Sequence, residues 1–328
     1  MRLPQKIARS ILAGNTLGFV CNEDGTVTDA FKNEQSGAPY PPPGFLPWNI
    51  LEIGNGDIYG YYWPIGRENE SPLVCVTEHD SWSLIPESSS LAACLRRQII
   101  LGYPDDDVAD TAERFGIDIE NVSSSEATDE SDDSEVEIKL EDDPESPFLL
   151  LSTAQNSIEE SDLITATSHL NSALSKLPEY SEGWAVLSQV ARQQRDVPAF
   201  VDAAMKALTS PLCFGAKDRR TLLLNLQRLK DSAIPGSNDP LWNRRHELTF
   251  AVGMKENSDY EVLGKLIEEY HERGMSTRAI SLRVLYGEMM SSETTSFRER
   301  QNWKWEAFRE SLRDDVKRAG IPERLPAM

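Results

Sequence analysis

His79-Asp80 is the one dipeptide in this chain that sets a possible base beside an orienting carboxylate. General acid–base chemistry needs such a pair within hydrogen-bond reach of a nucleophile or a water. Neighbours on a strand face opposite ways, and no spacing ties a nucleophile to His79, so it reads as a structural histidine. His169, His246 and His271 fall inside helical patterns without metal-ligand spacing. His246-Glu247 is followed by Leu248-Thr249-Phe250, which rules out the zinc-protease helix with its second histidine one turn on. Gly54-Asn55-Gly56 begins like a dinucleotide turn, but Tyr59 stands where the third glycine is needed. The following Gly60-Tyr61-Tyr62-Trp63 is strand-like, with no helix N-terminus to hold a pyrophosphate. Neither a phosphate-binding loop nor a nucleophile elbow is present. The acidic run Asp129–Glu137 lacks the central glycine of a calcium loop. Cys21, Cys75, Cys94 and Cys213 lie far apart with no C-x-x-C, as expected of free, buried thiols in a reducing compartment. These absences predict a protein that is not an enzyme and takes no cofactor or metal.

The segment Asp57–Trp63 offers recognition chemistry instead. Alternation along a strand puts Tyr59, Tyr61 and Trp63 on one face and Ile58 and Tyr62 on the other. One face must be core. If the other is exposed, large rings beside carboxylates have the composition of a protein-binding hot spot. The candidate partner-binding residues are therefore Asp57, Tyr59, Tyr61, Trp63, Glu78 and Asp80. Trp303 could serve as a partner contact, but is expected to pack against a neighbouring helix. It lies off the stripe Trp305, Phe308, Leu312 and Val316, whose helical spacing marks a core face.

Charge narrows the partner. The formal net charge is −21, of which residues 1–117 carry −8, residues 118–145 carry −12 and residues 146–328 carry −1. Residues 10–95 hold 11 acids against Lys32 and Arg67 alone. Phosphate binding needs a basic footprint, so no direct nucleic acid partner is expected; a basic protein suits the field better. No window reaches the ~18 uninterrupted apolar residues of a membrane span, and the N-terminus lacks the apolar run and cleavage site of a secretory signal. The expected location is cytoplasmic, away from membranes.

These residues must be positioned by elements, and the elements divide the chain in three. In residues 1–117 a helix is expected at 5–12 and a proline-rich entry at 36–47. Strands follow at Asn49–Ile53, Asp57–Trp63 and Leu73–Val76, with an Asn55-Gly56 turn between the first two. Helices at 88–101 and 105–115 complete an α+β domain. Residues 118–145 carry 13 acids, one base and few apolar residues, the composition of an acidic, disordered, flexible linker. Ser124, Ser131 and Ser134 sit among those acids as acid-directed kinases prefer. Residues 146–328 have helical periodicity throughout and predict an all-α domain, with helices at 147–157, 162–176, 181–193, 197–209, 217–231, 239–253, 258–272, 276–290 and 295–318.

A self-match at a period of 34 residues runs through the start of that domain. Ala166, Leu170, Ala173 and Pro178 align with Phe200, Ala204, Ala207 and Leu212, and Trp184, Leu187 and Ala191 hold the first-helix positions between them. This resembles the tetratricopeptide repeat, in which small residues let antiparallel helices pack closely. A third copy is not readable after 214, so a plain helical bundle stays open as the alternative.

In the N-terminal part Gly44-Phe45-Leu46-Pro47, Leu51-Glu52-Ile53-Gly54-Asn55-Gly56-Asp57, Tyr59, Pro72-Leu73-Val74, His79-Asp80 and Ser88-Ser89-Ser90-Leu91 occur in an order that resembles the SUKH superfamily over roughly 36–104. That family holds the yeast cell-wall-assembly regulator and many bacterial immunity proteins. The resemblance implies an α+β SUKH-like domain that binds proteins without catalytic residues. Two functions follow from it. One is an immunity-like protein that occludes a toxin with its acidic SUKH-like surface. The other is an intracellular regulatory adaptor that recruits a second protein partner at the helical repeats.

Overall fold

The computed structural model describes residues 19–21, 27–29, 42–52, 57–77, 83–101, 106–119, 138–215, 218–234 and 237–321. The helix expected at 5–12, the Asn55-Gly56 turn, His79, the acidic run 120–137 and two candidate contacts, Glu78 and Asp80, lie outside them. The layout is a small β-sheet part followed by a mostly helical part. The strands are β1 (Phe19–Cys21), β2 (Val27–Asp29), β3 (Phe45–Glu52), β4 (Ile58–Tyr62), β5 (Leu73–Thr77) and β6 (Leu84–Ser88). Two helices follow, α1 (Leu91–Ile100) and α2 (Asp106–Phe115). Beyond the acidic segment come α3 (Pro147–Glu159), α4 (Leu163–Lys176), α5 (Ser181–Gln193), α6 (Val197–Thr209), α7 (Arg219–Gln227) and α8 (Pro240–Arg244). Helices α9 (Asp259–Glu272), α10 (Ser276–Ser291), α11 (Thr295–Arg300) and α12 (Trp305–Arg318) end the described chain.

β1 and β2 pair with each other, and β3-β4-β5-β6 form an antiparallel sheet in sequence order. Proline cannot donate to a strand ladder and belongs at sheet edges. Pro47 lies in β3 and Pro86 in β6, the two edge strands. Pro86 is also why β6 is hard to read as a strand. Gly60 is required where β4 passes under β3: a Cβ there would lie 2.4 Å from the Phe45 ring and 2.6 Å from the Leu46 carbonyl oxygen.

Both faces of the sheet are covered, which explains why the β5 residues Leu-Val-Cys-Val-Thr are all buried. Leu46, Tyr59, Tyr61, Trp63, Val74 and Val76 pack against Leu91, Cys94 and Leu95 of α1 and Val108 and Ala112 of α2. On the other face Phe45, Tyr62, Leu73, Cys75 and Leu84 share one core with Leu151 and Ala154 of α3, Leu170 and Leu174 of α4, Val190 of α5, and Phe214. The strand part and the helical part therefore do not have the separate cores expected of two units on a flexible linker. The Tyr62 hydroxyl and the Ile65 amide both donate to Glu179 Oε1, each at 2.7 Å. Ile65 itself packs with Ile280, Val284 and Phe308 of α10 and α12. The described C-terminal end of the acidic segment is docked as well. Asp143, 7% exposed, accepts from the Ser89 amide (2.7 Å) and hydroxyl (2.6 Å), and Ser146 donates to the Glu87 carbonyl (2.7 Å).

The period of 34 residues reappears in the geometry. Pro147 to Ser181 and Leu163 to Val197, the starts of α3 and α5 and of α4 and α6, are both steps of that length. Ser161 and Arg195 take the same left-handed turn, at φ 66° and 60°. Asp162 and Asp196 then cap the second helix of each pair, accepting from Thr165 and Ala199 amides at 3.0 Å. Ala166, Leu170, Ala173, Ala204 and Ala207 are fully buried, which lets the paired helices close on each other. After α7 the order loosens. The helix expected over 239–253 ends as α8 and a 3-10 turn before Phe250, which has φ 49°. That expected over 295–318 breaks at Asn302, φ 48°, between α11 and α12. Trp303, in the break, packs on Tyr286 of α10 and Phe308 of α12.

Candidate functional site

The residues expected to meet a partner are placed by β4 and the bend after it. Tyr59, Tyr61 and Trp63 do share a face, as alternation requires, but they are 6%, 5% and 1% exposed. Their face is the one sealed by α1 and α2. The Tyr59 hydroxyl accepts from Gln98 Nε2 at 2.8 Å, and burial pushes both tyrosine hydroxyls well above their usual range. Tyr62, on the opposite face, is buried against Phe214, centroids 4.9 Å apart. Neither face of β4 presents the exposed rings that a hot spot needs; helices on both sides turn them into core. Asp57 is half-buried at the start of β4.

The surface feature that stands out lies elsewhere. A cleft of about 830 Å³ runs between the start of β6 and the facing sides of α3, α5 and α7. Its floor is aromatic and aliphatic: Leu151, Tyr180, Val186 and Phe214. Its walls are polar and follow helical spacing. Ser152 and Gln155 stand one turn apart on α3, Ala185, Gln189 and Arg192 on successive turns of α5, and Thr221 and Asn225 on successive turns of α7. Residues at this spacing project from one helix face, and the repeated pairing brings those faces side by side. Amide side chains both donate and accept, so Gln155, Gln189 and Asn225 match the alternating donors and acceptors of a peptide backbone. Ser83, Leu84, Ile85 and Pro86, on the strand that ends the sheet, form the remaining wall. Charge in the cleft is balanced, with Glu182 and Asp218 against Arg192 and Arg219.

Cys213 is buried, and its thiol is pushed well above the usual range by burial, reinforced by Glu288. Arg219 is 5% exposed and donates to the carbonyls of Leu208, Ser210 and Pro211 at 2.6 to 3.1 Å; burial lowers its guanidinium to about 10. Glu288 accepts from the Leu212 and Cys213 amides. These groups fix the bend between α6 and α7 and thereby the back of the cleft.

One further cluster has the composition of a serine triad. His271 Nδ1 lies 3.3 Å from Ser276 Oγ, and Nε2 lies 3.1 Å from Asp315 Oδ1. Asp315 Oδ2 also accepts from Arg283 Nε at 2.7 Å. The His271 side chain is fully buried, so the ring reaches no substrate, and the cluster ties α9, α10 and α12 together. Among the described residues no group of three or more His, Cys, Asp or Glu side chains is placed to hold a metal ion. No described helix is long and apolar enough to cross a membrane.

The cleft was not legible as a site, because its residues are ordinary polar positions on three separate helices. The one available signal was the repeat, whose first helices face a common side.

Comparison with known proteins matches both ends of the chain. The profile of the YfbP N-terminal domain covers residues 29–110, which contain the four-stranded sheet and α1. The profile of the YfbP C-terminal domain covers residues 251–326, which contain α9 to α12. Neither a SUKH nor a tetratricopeptide profile matches. A relative from Escherichia coli (strain K12), described as uncharacterized protein YfbP, is 30% identical over 280 residues, which is 84% of this chain and 88% of the relative. With that identity over more than two thirds of both chains, the chain belongs to the YfbP family.

Proposed function

We propose that the chain is a non-catalytic protein-binding protein that takes an extended segment of its partner into the cleft between β6 and helices α3, α5 and α7. One observation carries this reading. Three helices, two of them first members of the 34-residue pairs, line one groove with an aromatic and aliphatic floor, and each contributes an uncharged hydrogen-bonding amide to it: Gln155, Gln189 and Asn225. Clefts of such size and polarity suit peptides recognised by backbone contacts and a few anchoring side chains. The geometry favours the adaptor reading, with its tetratricopeptide-like helical surface, over occlusion of a basic toxin. Balanced charge in the cleft selects no basic partner, and the rings assigned to the acidic domain are buried. The likeness of the sheet part to the SUKH superfamily is retained as a proposal about descent.

The test uses the full chain in its native host, with a photo-reactive residue at Gln189 and, separately, at exposed Asp110 of α2. A specific protein is expected to crosslink from Gln189 and not from Asp110. The double variant Gln155→Trp, Arg192→Glu should remove that crosslink while melting like the parent. A crosslinked partner that survives the double variant, or one captured equally from Asp110, would sink the cleft reading.

A further inference from the structure

A second cavity, of about 500 Å³, lies where the loop after β4 meets α5, α6 and α10. Four of its lining residues are ionisable, and three of these, Arg67, Lys206 and Arg278, are cations, with Glu179 the exception. In a chain with 54 acidic against 33 basic residues, chance favours the opposite balance.

The cations are held in different ways. Arg67 is 32% exposed, and its ion pair with Glu70 is long at 3.8 Å. Lys206 sits 4.3 Å above the Trp184 ring and pairs at 2.9 Å with Asp202, itself 56% exposed. Exposed pairs of this kind contribute little and exchange readily for a better-placed anion. Arg278 is fixed. Its Nε donates to Thr209 Oγ1 at 3.0 Å, its Nη1 to Asp239, and its guanidinium lies 4.7 Å above the Tyr270 ring. Its buried Nη2 carries no hydrogen bond.

The backbone adds to this. Helix α10 begins beside the cavity, with Thr277 and Arg278 of its first turn in the lining, and its Met275 cap supplies no side-chain acceptor. The Arg278 amide is taken by the Met275 carbonyl, which leaves the Thr277 amide and the positive end of the helix dipole to favour an anion. Glu179 is the one opposing charge in the lining, against three cations, and its Oε1 is held by two donors, the Tyr62 hydroxyl and the Ile65 amide. Trp184, Pro178 and Met275 supply an apolar wall.

We propose that this cavity binds a phosphate monoester, its phosphate held by Arg67, Lys206 and the first turn of α10 and its organic body against Trp184. Cations that converge from three elements surround a tetrahedral dianion more completely than a flat carboxylate. This site is separate from the cleft and stands or falls independently of it.

Titration calorimetry on the full chain at fixed ionic strength tests it, with phenyl phosphate, inorganic phosphate and benzoate as probes. Phenyl phosphate should bind saturably, inorganic phosphate more weakly, and benzoate roughly tenfold more weakly or not at all. Lys206→Gln and Arg67→Gln should each weaken phenyl phosphate by roughly tenfold, the equivalent of one charge-assisted hydrogen bond. Thr277→Glu, which puts a carboxylate into the cavity, should abolish binding; melting of each variant shows that it is folded. Absence of saturable phenyl phosphate binding overturns the proposal. So does unchanged affinity in the folded variants, or benzoate binding as tightly as phenyl phosphate.

Discussion

Burial decides what the ionisable groups of this chain can do. Glu288 is the clearest case. Desolvation pushes its carboxyl above the usual 4.5, against the lowering effect of the Leu212 and Cys213 amides and of Arg219. A carboxyl with a higher pKa folded than unfolded keeps its proton longer in the folded state. Its effect on stability is most favourable while both states are protonated and declines as pH rises above 4.5, where the unfolded chain ionises first. Glu288→Gln keeps an acceptor for one of the two amides and removes the titration. Urea unfolding from about pH 4 to about pH 7 should therefore show a shallower decline in the variant than in the parent. Parallel curves would mean that Glu288 is not the group responsible. The same physics silences Cys213 and Tyr59: each has a functional group, and neither is offered to solvent in a reactive state. Residue type in the sequence announced possible chemistry, but accessibility, which the sequence does not carry locally, cancelled it.

At the scale of elements the helix pairs were the most legible part. Helices α5 and α6 match the periodicity to the residue, and α3 and α4 to within two. Their signals are local: an apolar stripe, a capping Ser or Asp before α3, α4 and α6, and a proline in the first turn of α3 and α6. Asp162 and Asp196 occupy the same position in successive pairs, so their removal should have the same effect. Asp162→Ala and Asp196→Ala are each expected to lower the denaturation midpoint by a similar amount, and the double variant by the sum. Very unequal losses would show that the two turns are not structural equivalents. The strands were less legible. β6 was missed because Pro86 argues against a strand unless the strand is known to lie at an edge, and edge position is a property of the sheet. Asn302 and Phe250 broke two expected helices by taking left-handed backbone, a choice made by the packing around them.

Among the described residues the sheet part and the helical part pack against each other. Tyr62 and Leu84 of the sheet lie in one core with Leu170 and Phe214 of the helical part, and Ile65 packs on α10. Severing residues 1–117 from residues 146–328 would expose that shared core on both pieces. The full chain is therefore expected to unfold in a single calorimetric transition, and neither piece alone to melt cooperatively. Two separate transitions, or an isolated 146–328 fragment as stable as the parent, would return the molecule to two independent domains.

Helix periodicity and caps were determined by the sequence alone, because each depends on residues within a few turns of one another; the 34-residue step and the acidic balance are a repeat and a sum along the chain and need no fold to be read. Tertiary structure alone decided which sheet faces are covered. An alternating strand shows that its two faces differ, and does not show whether a helix closes the second. Here α3, α4 and Phe214 close it, so Tyr62 became core together with Tyr59, Tyr61 and Trp63. The open surfaces were thereby moved to where distant elements meet. The cleft draws on β6, α3, α5 and α7 and the second cavity on the loop after β4, α5, α6 and α10, groups of residues that only the folded chain brings together.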